Sequence, residues 1–87
     1  HNFELYIVAH PVRYQIETNN NHNYPQEKLK RICSELDIPL LDLMPILRYQ
    51  KSNNEKEIFH DHCHHTSYGN RLVANAIYNF YLKYSKR

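Results

Sequence analysis

Short apolar runs alternate with amphipathic and polar stretches along the chain, and the period of each run assigns an element to it. In "FELYIVAHP", Phe3, Leu5, Ile7 and Ala9 alternate with Glu4, Tyr6 and Val8, and Pro11 closes a short strand. Apolar residues at both parities of "LYIVA" predict burial on two faces, as in a parallel sheet. "ETNNNHNYP" reads as a polar loop ending at Pro25, which suits the first turn of a helix because that turn has no use for the missing N–H. "PQEKLKRICSELDI" then sets Leu29, Ile32, Cys33 and Leu36 at helical spacing, with charges on the opposite face. "IPLLDL" predicts a second strand from Ile38 to Leu43, with Asp42 near its end as the cap of whatever follows. "MPILRY" is compatible with a short helix after Pro45, and "QKSNNEKE" reads as a solvated loop. The strongest helix is "TSYGNRLVANAIYNFYLKYS": Thr66 is its N-cap, and Val73, Ala76, Ile77, Phe80 and Tyr84 form one stripe.

The order is therefore strand, helix, strand, loop, long helix. Such alternation predicts an α/β fold with a parallel sheet and helices on its faces. Two strands are too few for a sheet of that kind to stand alone. Residues 1–87 are accordingly expected to form a single partial domain, the C-terminal half of a larger one. His1 is not an initiator methionine, which fits the same expectation.

Composition narrows the functional classes. A formal net charge of +2, with acidic and basic residues interspersed, gives no electrostatic footprint for nucleic acid. No apolar run approaches membrane-spanning length, so no membrane span is expected. Two cysteines, Cys33 and Cys63, make no disulfide framework and leave the compartment open. Eight tyrosines against three phenylalanines suit boundary positions, ring buried and hydroxyl wet. Tyr78, Tyr81 and Tyr84 are expected along the flank of the last helix.

The chemistry concentrates in "FHDHCHHTSYGN", where four histidines, Asp61 and Cys63 occupy residues 60–65. One reading is a metal module built from His60, Asp61, His62, Cys63 and His64, all side chains that zinc accepts. Consecutive residues point in different directions, however, and zinc patterns separate ligand pairs along the chain; His10, His22 and Cys33 are isolated. The other reading needs two residues. Asp61 and His64 stand three apart, a spacing that one turn folds into a carboxylate–imidazole contact. A carboxylate on Nδ1–H fixes the tautomer and leaves Nε2 as a general base toward a serine hydroxyl. On that reading His60, His62 and His65 face solvent or line the cleft mouth, and Cys63 tucks under the loop. Gly69, the one glycine in the chain, permits close helix approach. Arg13 and Gln15 belong to an exposed post-strand loop, with substrate contact as the alternative.

"DHCHHTSYGNRLVANAI" resembles the last block of the SGNH (GDSL-type) hydrolases, with Asp61, His64, Thr66, Gly69 and Ala74 in register and Leu72 and Val73 as the aliphatic pair. "ELYIVAHPVRYQ" and "LDIPLLDLMPIL" resemble that family's last strands, and the Pro-x-Arg-x-Gln run resembles SGNH-like relatives linked to O-acylation. The resemblance implies a three-layer α/β/α sandwich of flavodoxin-like type, of which this chain would be the C-terminal portion. It implies ester hydrolysis through an acyl-serine intermediate, with His64 as general base and Asp61 as its orienting partner. The substrate would be a small-molecule or carbohydrate ester, and no cofactor or metal is implied. O-acyl transfer on the same fold is the alternative. The family's Gly-Asp-Ser and Gly-x-Asn-Asp blocks have no counterpart in this sequence. The nucleophile and oxyanion hole are therefore expected from an N-terminal half of the same domain, and these residues alone are expected to be inactive.

Overall fold

The computed structural model describes residues 4–17 and 24–85. Among them the order is strand β1 (Ile7–Ala9), helix α1 (Arg13–Glu17), helix α2 (Tyr24–Leu36), strand β2 (Leu40–Asp42), helix α3 (Leu43–Asn53) and helix α4 (Ser67–Ser85). The predicted strand start at Phe3, most of the asparagine-rich loop with His22, and the last two residues of the basic tail lie outside the described residues.

The fold is α/β. β1 and β2 pair in parallel, with Ile7 opposite Leu40, Val8 opposite Leu41 and Ala9 opposite Asp42. Side chains alternate across a strand, so the two parities meet different surroundings. Val8 and Leu41 pack on the main core, formed by Ile16, Leu43, Leu47, Ile58, Phe59 and Val73. Ala9, of the other parity, lines a cavity of about 200 Å³ with Pro25, Gln26 and Leu29 of α2. The sheet thus has α3 and α4 on one face and α2 on the other, as both-parity apolar residues predict.

Both strands are shorter than the pattern suggests, and for the carboxyl end of β2 the reason lies in Asp42. Its carboxylate accepts from the Met44 amide at 3.0 Å and caps α3. Leu43, expected to end the strand, therefore opens the helix and is fully buried there. α3 also runs through Lys51 to Asn53, helical where a solvated loop was expected. Its first turns bury Leu43, Met44 and Leu47, which carries the polar end along. Helix α1 was not expected at all. The Gln15 side chain accepts from the Val12 amide at 3.0 Å, one half of a capping box, and the Gln15 carbonyl accepts from Arg48 Nε of α3 at 2.9 Å.

α2 corrects a second expectation. Cys33 and Gln26 are its buried residues, whereas Ile32 and Leu36 are 45% and 63% exposed. A two-stranded sheet is too narrow to cover the full stripe. Gln26 is tolerated inside because it exchanges amide hydrogen bonds with Gln15, at 3.1 and 3.3 Å. α2 ends in a Schellman arrangement: the Ile38 amide reaches the Cys33 carbonyl at 2.9 Å, and Asp37 takes the left-handed position at φ 56°.

Candidate functional site

The histidine loop is closed at its base before any side chain is considered. Phe59 and His65 form an antiparallel bridge, the His60 amide donates to the His64 carbonyl at 2.7 Å, and the Thr66 amide donates to the Ile58 carbonyl at 2.8 Å. Ile58 and Phe59 are buried, so the loop grows directly out of the core. Thr66 caps α4 as expected, its Oγ1 accepting from the Gly69 amide at 3.0 Å. Its hydroxyl donates to the Glu57 carbonyl at 2.6 Å, with the Ile58 carbonyl at 3.2 Å. Gly69 allows α4 to lie on the loop stem. A Cβ there would come within 2.2 Å of the Ile58 carbonyl oxygen.

Asp61 and His64 meet. His64 Nδ1 lies 3.1 and 3.0 Å from the two carboxylate oxygens. Asp61 Oδ1 also accepts the backbone amides of Cys63 at 3.0 Å and His64 at 2.8 Å, so a single aspartate folds the loop tip around itself. Those two amides, followed by the His64 ring, hold the Asp61 carboxyl well below the usual carboxylate range. An ionised carboxylate accepts only, so Nδ1 carries a proton, and the neutral ring then keeps its lone pair on Nε2. Nε2 has no partner among the described residues, and the His64 side chain is 75% exposed. The arrangement is an oriented imidazole with an open face.

The neighbouring residues divide differently from expectation. His60 and His62 are exposed, as expected for bystanders. His65 is half-buried instead, stacked 5.0 Å from the Phe59 ring and 6.0 Å from His10, with Nε2 enclosed and unpartnered. The bridge to Phe59 turns it inward. Burial, with His10 and His64 adding to it against the Asn70 side chain, pushes the His65 imidazole down. Cys63, expected under the loop, is exposed, because its amide is drawn to Asp61 and its side chain points outward, 3.6 Å from His64 Nδ1.

Among potential metal ligands, the described residues bring together Asp61, His62 and Cys63, with ligand atoms within 4.8 Å of one another, all exposed. Asp61 already serves three donors, which weakens it as a ligand. The other residue that the sequence undervalued is Arg13. Its amide donates to the His62 carbonyl at 2.9 Å and its guanidinium reaches the His60 carbonyl at 3.4 Å. That contact sets the histidine loop beyond the carboxyl end of β1, where open α/β sheets bind ligands.

No family model, curated protein or solved structure matches the chain. No described helix is long and apolar enough to cross a membrane.

Proposed function

We propose that Asp61 and His64 are the acid–base half of a Ser-His-Asp triad, in the C-terminal part of an SGNH-type serine hydrolase with a three-layer α/β/α sandwich. The observation that carries this reading is the Asp61 carboxylate on His64 Nδ1 at 3.0 Å, with Nε2 open. The pair's place beyond the carboxyl end of a parallel strand supports it, as does the Thr66–Gly69 helix start that follows in register.

The serine, with a glycine amide and an asparagine side chain for the oxyanion, would come from an N-terminal half of the same domain. His64 Nε2 takes the serine proton while Oγ bonds to the acyl carbon of an ester. The tetrahedral intermediate collapses, the alcohol leaves with the proton from His64, and an acyl-serine remains. Water, activated by the same Nε2, then releases the acid and restores the serine. Asp61 keeps the imidazole oriented and stabilises its cationic form throughout.

An acceptor alcohol in place of water turns the same machinery into an O-acyltransferase. The test is turnover of short-chain aryl esters by the polypeptide that includes the N-terminal half. His64→Ala abolishes it on this reading, and full activity in that variant rejects the assignment.

A second reading has one observation in its favour, the Asp61, His62 and Cys63 cluster. A metal-binding module predicts a stoichiometric zinc isotherm that raises the melting temperature and disappears on His62→Ala. The hydrolase reading predicts neither.

A further inference from the structure

We propose that Arg13 is a positioning residue for the Asp61–His64 pair, acting by clamping the tip of the loop that carries it; the inference rests on reading His64 as the base. The stem of the loop is fixed by core residues, but His60, Asp61, His62, Cys63 and His64 are all exposed. A tip held only by its own hydrogen bonds is free to swing on the nanosecond-to-microsecond scale. Among the described residues, two hydrogen bonds reach it from Arg13, downstream of β1, and they fall on the carbonyls of His60 and His62. These residues flank Asp61 on either side.

The clamp is itself held. Arg13 Nε meets Glu17 at 3.0 Å and its terminal nitrogen meets Glu57 at 3.4 Å, while Lys51 approaches Glu57 at 3.4 Å and Glu17 at 3.8 Å. A planar guanidinium with five donors serves one carbonyl and two carboxylates at once, which an ammonium on a flexible stem cannot reproduce. The Arg13 side chain is 35% exposed, against 50% for Asp61 and 75% for His64, so the anchor is better buried than the pair it holds. Partly exposed ion pairs contribute little to global stability. The backbone hydrogen bond from the Arg13 amide to the His62 carbonyl does not use the side chain, so removing the guanidinium loosens the tip without detaching the loop.

The experiment is a long-range proton–nitrogen NMR spectrum of the His64 imidazole in the nitrogen-labelled polypeptide that includes the N-terminal half. In the parent chain the neutral ring carries its proton on Nδ1. Arg13→Gln is expected to raise the Nε2–H fraction several-fold, with Arg13→Lys intermediate, while the Leu47 and Val73 methyl signals stay in place. An unchanged tautomer ratio in both variants overturns the proposal. Collapse of the methyl signals in both overturns it too, since Arg13 would then hold the fold rather than the pair. This measurement needs no serine. A tautomer shift combined with absent ester turnover by the longer polypeptide rejects the hydrolase reading alone.

Discussion

His64 presents Nδ1 to both oxygens of the Asp61 carboxylate, at 3.1 and 3.0 Å, while that carboxylate also gathers the backbone amides of Cys63 and His64. One aspartate therefore both folds the loop tip and sets the tautomer of the histidine beside it. The two roles separate under substitution.

Asp61→Asn keeps a carbonyl oxygen for the two amides but offers Nδ1 a neutral partner. The loop is expected to stay folded while ester turnover by the longer polypeptide falls by about 10⁴-fold in kcat. Steady-state kinetics beside a melting curve checks both halves.

His65 gives the pH dependence. Its pKa is lowered in the fold from 6.5, so the unfolded chain takes a proton first as the pH falls. The stability contributed by neutral His65 is complete above its unfolded pKa and is lost as the pH drops through the folded value. Asp61 follows the carboxylate rule: its folded pKa is depressed, so its contribution is present above the unfolded value of about 3.8 and is lost in stronger acid. Between pH 7 and 5, denaturant unfolding of the parent chain should show a steeper loss of stability than His65→Phe, which also relieves the enclosed, unpartnered Nε2.

Thr66 and Gly69 should respond differently. Thr66→Ala removes the cap of α4 and is expected to cost about 1–2 kcal/mol, with Thr66→Ser restoring most of it. Gly69→Ala drives a Cβ into the Ile58 carbonyl, 2.2 Å away, and is expected to cost about 2–3 kcal/mol. Urea titration of the three variants measures both.

Asp37 occupies the left-handed position of the α2 terminus at φ 56°. Glycine adopts that conformation without the Cβ penalty, so Asp37→Gly is expected to stabilise the chain by about 0.5–1 kcal/mol, read as a rise of a few degrees in melting temperature.

The legible parts of the chain were those whose cause is local. Thr66, Gly69 and the stripe beginning at Val73 announce α4 because cap, close approach and period all lie within one helix. Asp61 and His64 are legible for the same reason, being one turn apart. Where the cause is distant the sequence is silent. Ile16 alone does not mark α1, which depends on Arg48 thirty-three residues on. Leu43 reads as strand until Asp42 is seen capping α3. Ile32 and Leu36 have helical spacing, but spacing says nothing of how much sheet is there to cover them. Arg13 shows a local partner in Glu17, yet its contacts with His60 and Glu57 have no sequence signature.

The role proposed for His64 is to activate a serine. A fluorophosphonate reacts with a serine hydroxyl only when a neighbouring base makes it nucleophilic. Incubating the polypeptide that includes the N-terminal half with such a reagent, followed by peptide mass spectrometry, tests the claim most directly. A single serine adduct is expected in the parent protein, and its loss in His64→Ala. Equal labelling of both proteins, or no labelled serine in the parent, would contradict it.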